Sequence, residues 1–164
     1  MIDKLFEDDE MEDTQKGKYL TFEIGSEVYG LEIRYVIDII GIQKITDVPE
    51  QPDYVKGVIN LRGKIIPTMD IRRRFKKDDR PYDDRTCIIV VDINGISVGI
   101  VVDTVFEVIY IEENDISPPP RFNNDFQNKY IEGIGQSEDK VIILLDCTKL
   151  LSIDEVNELG LLEQ

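Results

Sequence analysis

The sequence predicts an all-β protein made of two small β units of similar topology, followed by a C-terminal helix. Three observations carry that prediction. From Tyr19 onward apolar and polar residues alternate, with Leu20, Phe22 and Ile24 set between Thr21, Glu23 and Gly25; period two is the pattern of half-buried strands. The pattern then repeats. Ile89, Val91 and Ile93 restate Leu20, Phe22 and Ile24 at an offset of 69 positions, and Gly99/Gly30, Ile100/Leu31, Val105/Val36, Val108/Ile39, Ile111/Ile42 and Pro118/Pro49 follow in step. Beyond the prolines the offset becomes 76, pairing Tyr130 with Tyr54, Gly133 with Gly57, Lys140 with Lys64, Val141 and Ile142 with Ile65 and Ile66, and Asp146 with Asp70. Glycines, tyrosines, lysines and aspartates matching in register argue for a duplication, because chance resemblance between β segments matches only apolar positions. Finally, Leu150, Leu151, Ile153, Val156, Leu159 and Leu162 have helical spacing.

Taken in order, residues 1–17 form an acidic tail with little to bury, predicted to be mobile. Tyr19–Ile24 and Val28–Ile33 read as a hairpin around Gly25-Ser26. Arg34–Ile40 fits either a helical turn or a strand. Ile42–Val48 reads as a strand ending before Pro49, and Pro49–Asp53 as a connector. Val55–Asp70 reads as two short strands joined at Asn60-Leu61-Arg62-Gly63, and Ile71–Phe75 as one or two helical turns. Residues 77–84 are a charged linker. The first unit thus runs from about 18 to 76 and the second from about 85 to 147. The step from 69 to 76 places a seven-residue insertion between Pro118 and Tyr130, where Pro119, Pro120, Asn123 and Asn124 give loop composition. A helix over 148–162 follows, with Ser152 as a cap partway along and Gly160 near its end. A sheet of five short strands is marginal alone. Curling reduces its open edges, and packing two such units together buries more apolar area.

Composition narrows the function. The net charge of −15 repels phosphate backbones and anionic lipid, which disfavours nucleic acid and membrane surfaces as partners. The compact run Arg72-Arg73-Arg74-Phe75-Lys76-Lys77 reads as the end of a short helix, where cations complement the dipole. Aliphatic runs such as Ile142–Leu145 are far below the ~20 residues of a membrane span, and the acidic N-terminus is unlike a signal peptide. Cys87 and Cys147 lie inside apolar runs and read as buried, reduced thiols. No histidine is present, so the commonest general base and metal ligand is missing. No phosphate-binding, dinucleotide-binding or nucleophile-elbow motif occurs. Asp70 and Asp146 are the one candidate acid–base pair. Their matching positions favour caps on the helical turn that follows each, and Asp103 reads as structural in the same way. The reading contains no catalytic residue, no metal and no cofactor.

A protein-binding module remains. Interfaces draw on arginine and aromatic anchors in apolar surroundings, and the corner Asn60-Leu61-Arg62-Gly63 fits that description through Arg62. The aligned residues of the second unit, Gln136-Ser137-Glu138-Asp139, form an ordinary acidic turn. Gly63 and Asn60 read as turn residues needing positive φ. Arg62 reads as the functional residue, against the plainer alternative of a solvated surface ion pair.

Four stretches carry a family resemblance: Y-G-L-E-I at Tyr29–Ile33, Y-V-K-G-V-I-N-L-R-G-K-I-I-P at Tyr54–Pro67, V-G-I-V-V-D at Val98–Asp103 and Y-I-E-G-I-G at Tyr130–Gly135. Together they resemble the CheW family, the coupling proteins of bacterial chemotaxis, from about Tyr19 to Leu151. The resemblance implies two intertwined SH3-like five-stranded barrels around a shared core, a CheW-like domain over 18–152. It implies a non-catalytic adaptor that bridges the cytoplasmic tip of methyl-accepting chemoreceptors to the regulatory domain of the histidine kinase CheA. Such a protein is cytoplasmic, recruited to membrane-associated receptor clusters without inserting into the membrane. Carried over by position, the receptor-binding residues are Arg62, Val36, Gly57, Asn60, Leu61, Val105, Val108 and Gly133. For Val36 and Val105 core packing is the competing reading, and no residue is assigned to the kinase. The alternatives are a scaffold of the same fold for another receptor–kinase pathway (pili or second-messenger signalling) and a small-ligand sensor with its site between the barrels.

Overall fold

A computed structural model describes residues 15–119 and 129–162; the predicted acidic tail before residue 15 and most of the predicted inserted loop lie outside them. Among the described residues there are eleven strands: β1 (Lys18–Ile24), β2 (Glu27–Glu32), β3 (Val36–Gly41), β4 (Val55–Leu61), β5 (Lys64–Asp70), β6 (Cys87–Ile93), β7 (Ile96–Val102), β8 (Thr104–Tyr110), β9 (Ile116–Ser117), β10 (Ile131–Ser137) and β11 (Lys140–Leu145). They form two sheets, ordered β8-β1-β2-β11-β10-β9 and β3-β6-β7-β5-β4.

The two sheets have one topology. The 69-residue offset carries β1 onto β6, β2 onto β7 and β3 onto β8, and the 76-residue offset carries β4 onto β10 and β5 onto β11. Each sheet takes its β1–β2-type hairpin from the opposite half of the chain. The halves are therefore intertwined, and the repeat units of the sequence are not the sheets. One parallel seam per sheet joins the halves, at β2–β11 and at β5–β7. The ambiguous Arg34–Ile40 segment resolves into a 3₁₀ turn, Ile33–Tyr35, leading into β3.

Ile42–Val48 is not the strand that its alternation predicts. Its strand-type pairing with the sheet is a bridge between Thr46 and Val58, the equivalent of the two-residue β9 on β10. Counting β9, one sheet has six strands rather than five. Pro49 ends the segment three residues beyond that bridge, and upstream Ile42 N is taken by Thr86 O instead of by a ladder partner.

A central cluster draws on both sheets, including Phe22, Leu31, Met69, Ile89, Val91, Ile100 and Leu145. A chain of rings, Phe22–Tyr29–Phe75–Tyr130, runs through it at centroid separations of 5.4–5.9 Å. As predicted, Asp70 and Asp146 cap the turns after them: Asp70 Oδ1 accepts from Arg72 N, and Asp146 Oδ1 from Thr148 N. Asp103 has another role. Half-buried at the junction of β7 and β8, it accepts from Arg72 Nε and Nη2, Arg80 Nη1 and Gly25 N. It thereby ties the β1–β2 turn to the short helix Ile71–Arg74.

The basic run does more than complement a helix dipole. Arg72 pairs with Asp103, Arg73 with Asp79, and Arg74 with Glu155. Arg74 also donates to Leu150 O at 2.9 Å, and its guanidinium lies over the rings of the repeat mates Tyr54 and Tyr130, 4.3 and 5.3 Å from their centroids. The C-terminal helix is shorter than predicted, spanning Ile153–Gly160 after a separate 3₁₀ turn, Cys147–Lys149. Ser152 is its true N-cap, in a reciprocal capping box with Glu155. The box stops the chain from running on as one helix from residue 148. Cys147 is buried, Cys87 is half-buried, and both are free thiols. No helix among the described residues is long and apolar enough to cross a membrane.

Candidate docking face

Edge strands β3 and β8 are repeat mates, and each pairs with one neighbour only. Along β3 the inner positions Val36, Asp38 and Ile40 are half-buried and the outer positions Ile37, Ile39 and Gly41 are exposed. On β8 the exposed positions include Phe106, Val108 and Tyr110. Ile37 and Ile39 are 55% and 42% exposed, Phe106 and Val108 46% and 47%, and Tyr110 61%. The 69-residue offset superposes Ile37 on Phe106 and Ile39 on Val108, so the same apolar strip occurs twice. A lone exposed aliphatic needs no explanation, but two matched strips on unpaired edges mark a surface for a partner.

The Arg62 corner meets β3 from its inner side, at Asp38. Leu61 and Lys64 close a two-residue turn in which Arg62 (φ 52°) and Gly63 (φ 85°) both have positive φ, the type I′ geometry that suits hairpin twist. Positive φ thus falls on Arg62 and Gly63, not on Asn60. Asn60 supports the turn from outside, its Oδ1 accepting from Gly63 N at 2.8 Å while its carbonyl accepts from Gln43 Nε2 at 3.0 Å. Leu61 packs on a smaller cluster with Ile59, Ile66 and Ile88. Arg62 Nη1 donates to Asp38 Oδ2 at 3.0 Å, with the arginine side chain 78% exposed. β3 and β4 are opposite edges of their sheet, yet these bonds join them, so the sheet is curled and the corner is brought back beside β3. The second unit has the same backbone turn, with Glu138 (φ 49°) and Asp139 (φ 65°). The two corners differ in side chains and charge, not in fold.

The remaining predicted residues divide by burial. Val36 and Val105 are half-buried against the central cluster, so packing occupies most of each side chain. Gly57 and Gly133 are buried and offer no side chain to a partner. Each follows a β-bulge and lies under a crossing segment, Thr46 for Gly57 and β9 for Gly133. A Cβ on Gly57 would overlap the Thr46 carbonyl oxygen; one on Gly133 would stand 2.9 Å from Ile116 Cγ2. Of the predicted residues Val108 therefore lies on the exposed strips, Arg62 and Val36 stand on the inner side of β3, and the two glycines shape the sheets. Sequence reasoning missed Ile37, Asp38, Ile39, Phe106 and Tyr110. The signal was present in the offset pairing of Ile37 with Phe106, but alternation alone does not say which side of an edge strand faces solvent.

Two interlocked SH3-like sheets with a matched pair of exposed strips define a protein-binding scaffold. Comparison with known proteins makes this specific. The CheW-like domain matches residues 18–155, and the chain belongs to that family. It is 38% identical over 139 residues to the chemotaxis protein CheW of Klebsiella aerogenes, covering 85% of this chain and 84% of that one. It is 31% identical to the Bacillus subtilis chemotaxis protein CheW, covering 82% and 86%. The crystal structure of the scaffolding protein TtCheW from Thermoanaerobacter tengcongensis superposes with a TM-score of 0.78 at 39% identity, covering 85% of this chain and 94% of that one.

Proposed function

We propose that this chemotaxis scaffold couples the cytoplasmic tip of methyl-accepting chemoreceptors to the regulatory domain of the histidine kinase CheA, without catalysing a reaction itself. The matched apolar strips on β3 and β8 carry the reading. Exposed apolar side chains are costly on a surface of charge −15 unless a partner covers them. A receptor helix lays its apolar face against Ile39 and Val108, and Arg62 binds a carboxylate or carbonyl at one end of the helix. Asn60 and Leu61 hold the Arg62 turn in shape. Val36 and Val105 set the floor of the face, and Gly57 and Gly133 keep the sheets closed behind it. The kinase docks on a different surface, so one molecule holds both. The protein works in the cytoplasm at receptor clusters.

The test is capture of purified wild type by an immobilised receptor-tip fragment and, separately, by the kinase. Ile39→Glu and Val108→Glu, both on exposed positions, should lower receptor capture at least ~10-fold, the cost of about 1.4 kcal/mol, and leave kinase capture intact. Failure of the wild type to bind either partner would sink the function. Equal loss of both partners in a folded variant would sink the assignment of the face.

A further inference from the structure

The two halves differ most where each hairpin corner returns to its edge strand. At the first corner the gap is bridged. Arg62 Nη1 donates to Asp38 Oδ2 at 3.0 Å, Gln43 Nε2 donates to Asn60 O at 3.0 Å, and Leu61 packs on the cluster of Ile59, Ile66 and Ile88. The two offsets carry each of these residues into the second half. Asp38 corresponds to Glu107, Gln43 to Glu112, Asn60 to Gln136, Leu61 to Ser137 and Arg62 to Glu138. The backbone turn is the same, with positive φ at Glu138 and Asp139. The bridging groups are not. Two acids replace the arginine–aspartate pair, and a short hydroxyl replaces the leucine.

The second gap is open. A cleft of about 690 Å³ separates Tyr110 and Glu112 from Gln136, Glu138 and Val141. Asp115 and Asp139 also line it, so four carboxylates stand against the single ammonium of Lys140. Two apolar surfaces share the cleft with these charges. Tyr110, at the position of Gly41 in the first half, is 61% exposed, and Val141, at the position of half-buried Ile65, is 57% exposed. The Tyr110 ring lies against Gly17, where a Cβ would stand 2.7 Å from Tyr110 Cε2, so a glycine at the entry to β1 makes room for it. Acids alone attract any cation. An exposed ring beside acids selects for a guanidinium, which stacks on the ring while its planar N–H fork donates to carboxylates. The chain uses both contacts for its own arginines. Arg62 donates to the Asp38 carboxylate at the matching corner, and Arg74 pairs with Glu155 while its guanidinium lies 4.3 Å from the Tyr54 centroid.

We propose that this cleft docks an arginine carried on an exposed turn of a partner protein, which supplies in trans the guanidinium that Arg62 supplies within the chain at the other corner. The partner's guanidinium lies on the Tyr110 ring and donates to Glu112 and Glu138, and its methylene stem covers Val141. Arginine fits better than lysine, because a compact ammonium does not stack on a ring and bridge two carboxylates with one rigid fork. Glu112, Glu138 and Val141 take no part in the receptor contact proposed above, so the site stands apart from that reading.

The probe is a disulfide-closed peptide that presents one arginine at its turn, titrated into the isotope-labelled full chain and read by amide NMR shifts. A second peptide carries citrulline, the neutral isostere. Salt at about 0.15 M screens the diffuse attraction of a chain of charge −15. The arginine peptide should shift the amides of Tyr110–Glu112 and Gln136–Val141 to saturation, and the citrulline peptide should bind at least about 10-fold more weakly, having lost its charge-assisted hydrogen bonds. Glu138→Arg gives the second corner the residue of the first and should lower arginine-peptide affinity at least about 10-fold. Tyr110→Ala removes the ring and should lower it about 3-fold. Equal binding of the two peptides, shifts spread without saturation over the acidic surface, or full affinity in folded Glu138→Arg each overturn the site. Full affinity in Tyr110→Ala would reduce the cleft to its acids and overturn it as well. The comparison of the two peptides on wild type decides the matter even where a variant fails to fold.

Discussion

Replacing Arg62 with asparagine separates a binding role from a folding role, because the structure gives opposite signs to the two. Arg62 occupies a left-handed conformation, φ 52°, which costs an ordinary L-residue about 1–2 kcal/mol. Asparagine accepts that conformation more readily, and Asn-Gly is the preferred I′ pair; Asn94-Gly95 of this same chain uses it, with φ 49° and 93°. The substitution relieves about 1 kcal/mol of turn strain on that scale. It removes the ion pair to Asp38, which at 78% side-chain exposure contributes about 0–1 kcal/mol. Net stability should therefore change by less than about 1 kcal/mol, in either direction. Binding should behave differently. An arginine anchor at an interface contributes about 2 kcal/mol or more, so receptor-tip affinity should fall roughly 30-fold. Urea melts read the first number and isothermal titration against a receptor-tip fragment reads the second. A loss of more than about 2 kcal/mol of stability would show that Arg62 holds the fold, and unchanged affinity would show that it does not touch the receptor; either result refutes the reasoning.

Other consequences follow from the packing. Arg74→Met breaks a bidentate pair whose side chains are 10% and 24% exposed; loss of one partner of such a pair costs about 3 kcal/mol at the low end of its range, which for a chain this long lowers Tm by about 6–12 °C in calorimetry. Acid lability should trace to the same pair. Burial works to raise the Glu155 carboxyl, but hydrogen bonds from Arg74 and from Ser152 N outweigh it and hold it at about 2, below its ordinary 4.5. Its contribution is thus complete above pH 4.5 and lost as the pH falls through about 2, and stability curves of Arg74→Met should lack that slope. Gly57→Ala pushes a methyl into the Thr46 carbonyl from a φ of 151° and should cost more than about 2 kcal/mol. Gly41→Ala, with nothing within 4 Å of its added methyl, should stay within about 0.5 kcal/mol; similar urea midpoints for the two alanine variants would contradict the close approach seen at Gly57.

What the sequence determined by itself was local or periodic. Alternation located nearly every strand, because half-buried strands must place apolar residues at every second position. The two offsets revealed the duplication, because a duplicated fold preserves special residues in step: Gly57 and Gly133 under their crossing segments, Asp70 and Asp146 as caps. Only the tertiary structure decided the long-range questions. Alternation cannot say which sheet a hairpin joins, since β1–β2 would bury the same face in either, and the exchange of hairpins between halves is settled by the parallel seams. Nor does period two say that Ile37 and Phe106 face solvent while Val36 and Val105 face the core, because that depends on which side of an edge strand the other sheet covers. The basic run looked like a helix end until its partners, Asp103 and Glu155, were brought 31 and 81 residues through the chain to meet it. Arg62 was legible as unusual from its missing counterpart. Its position beside β3 arises from the curl of a sheet, which distributed packing sets and no local motif encodes.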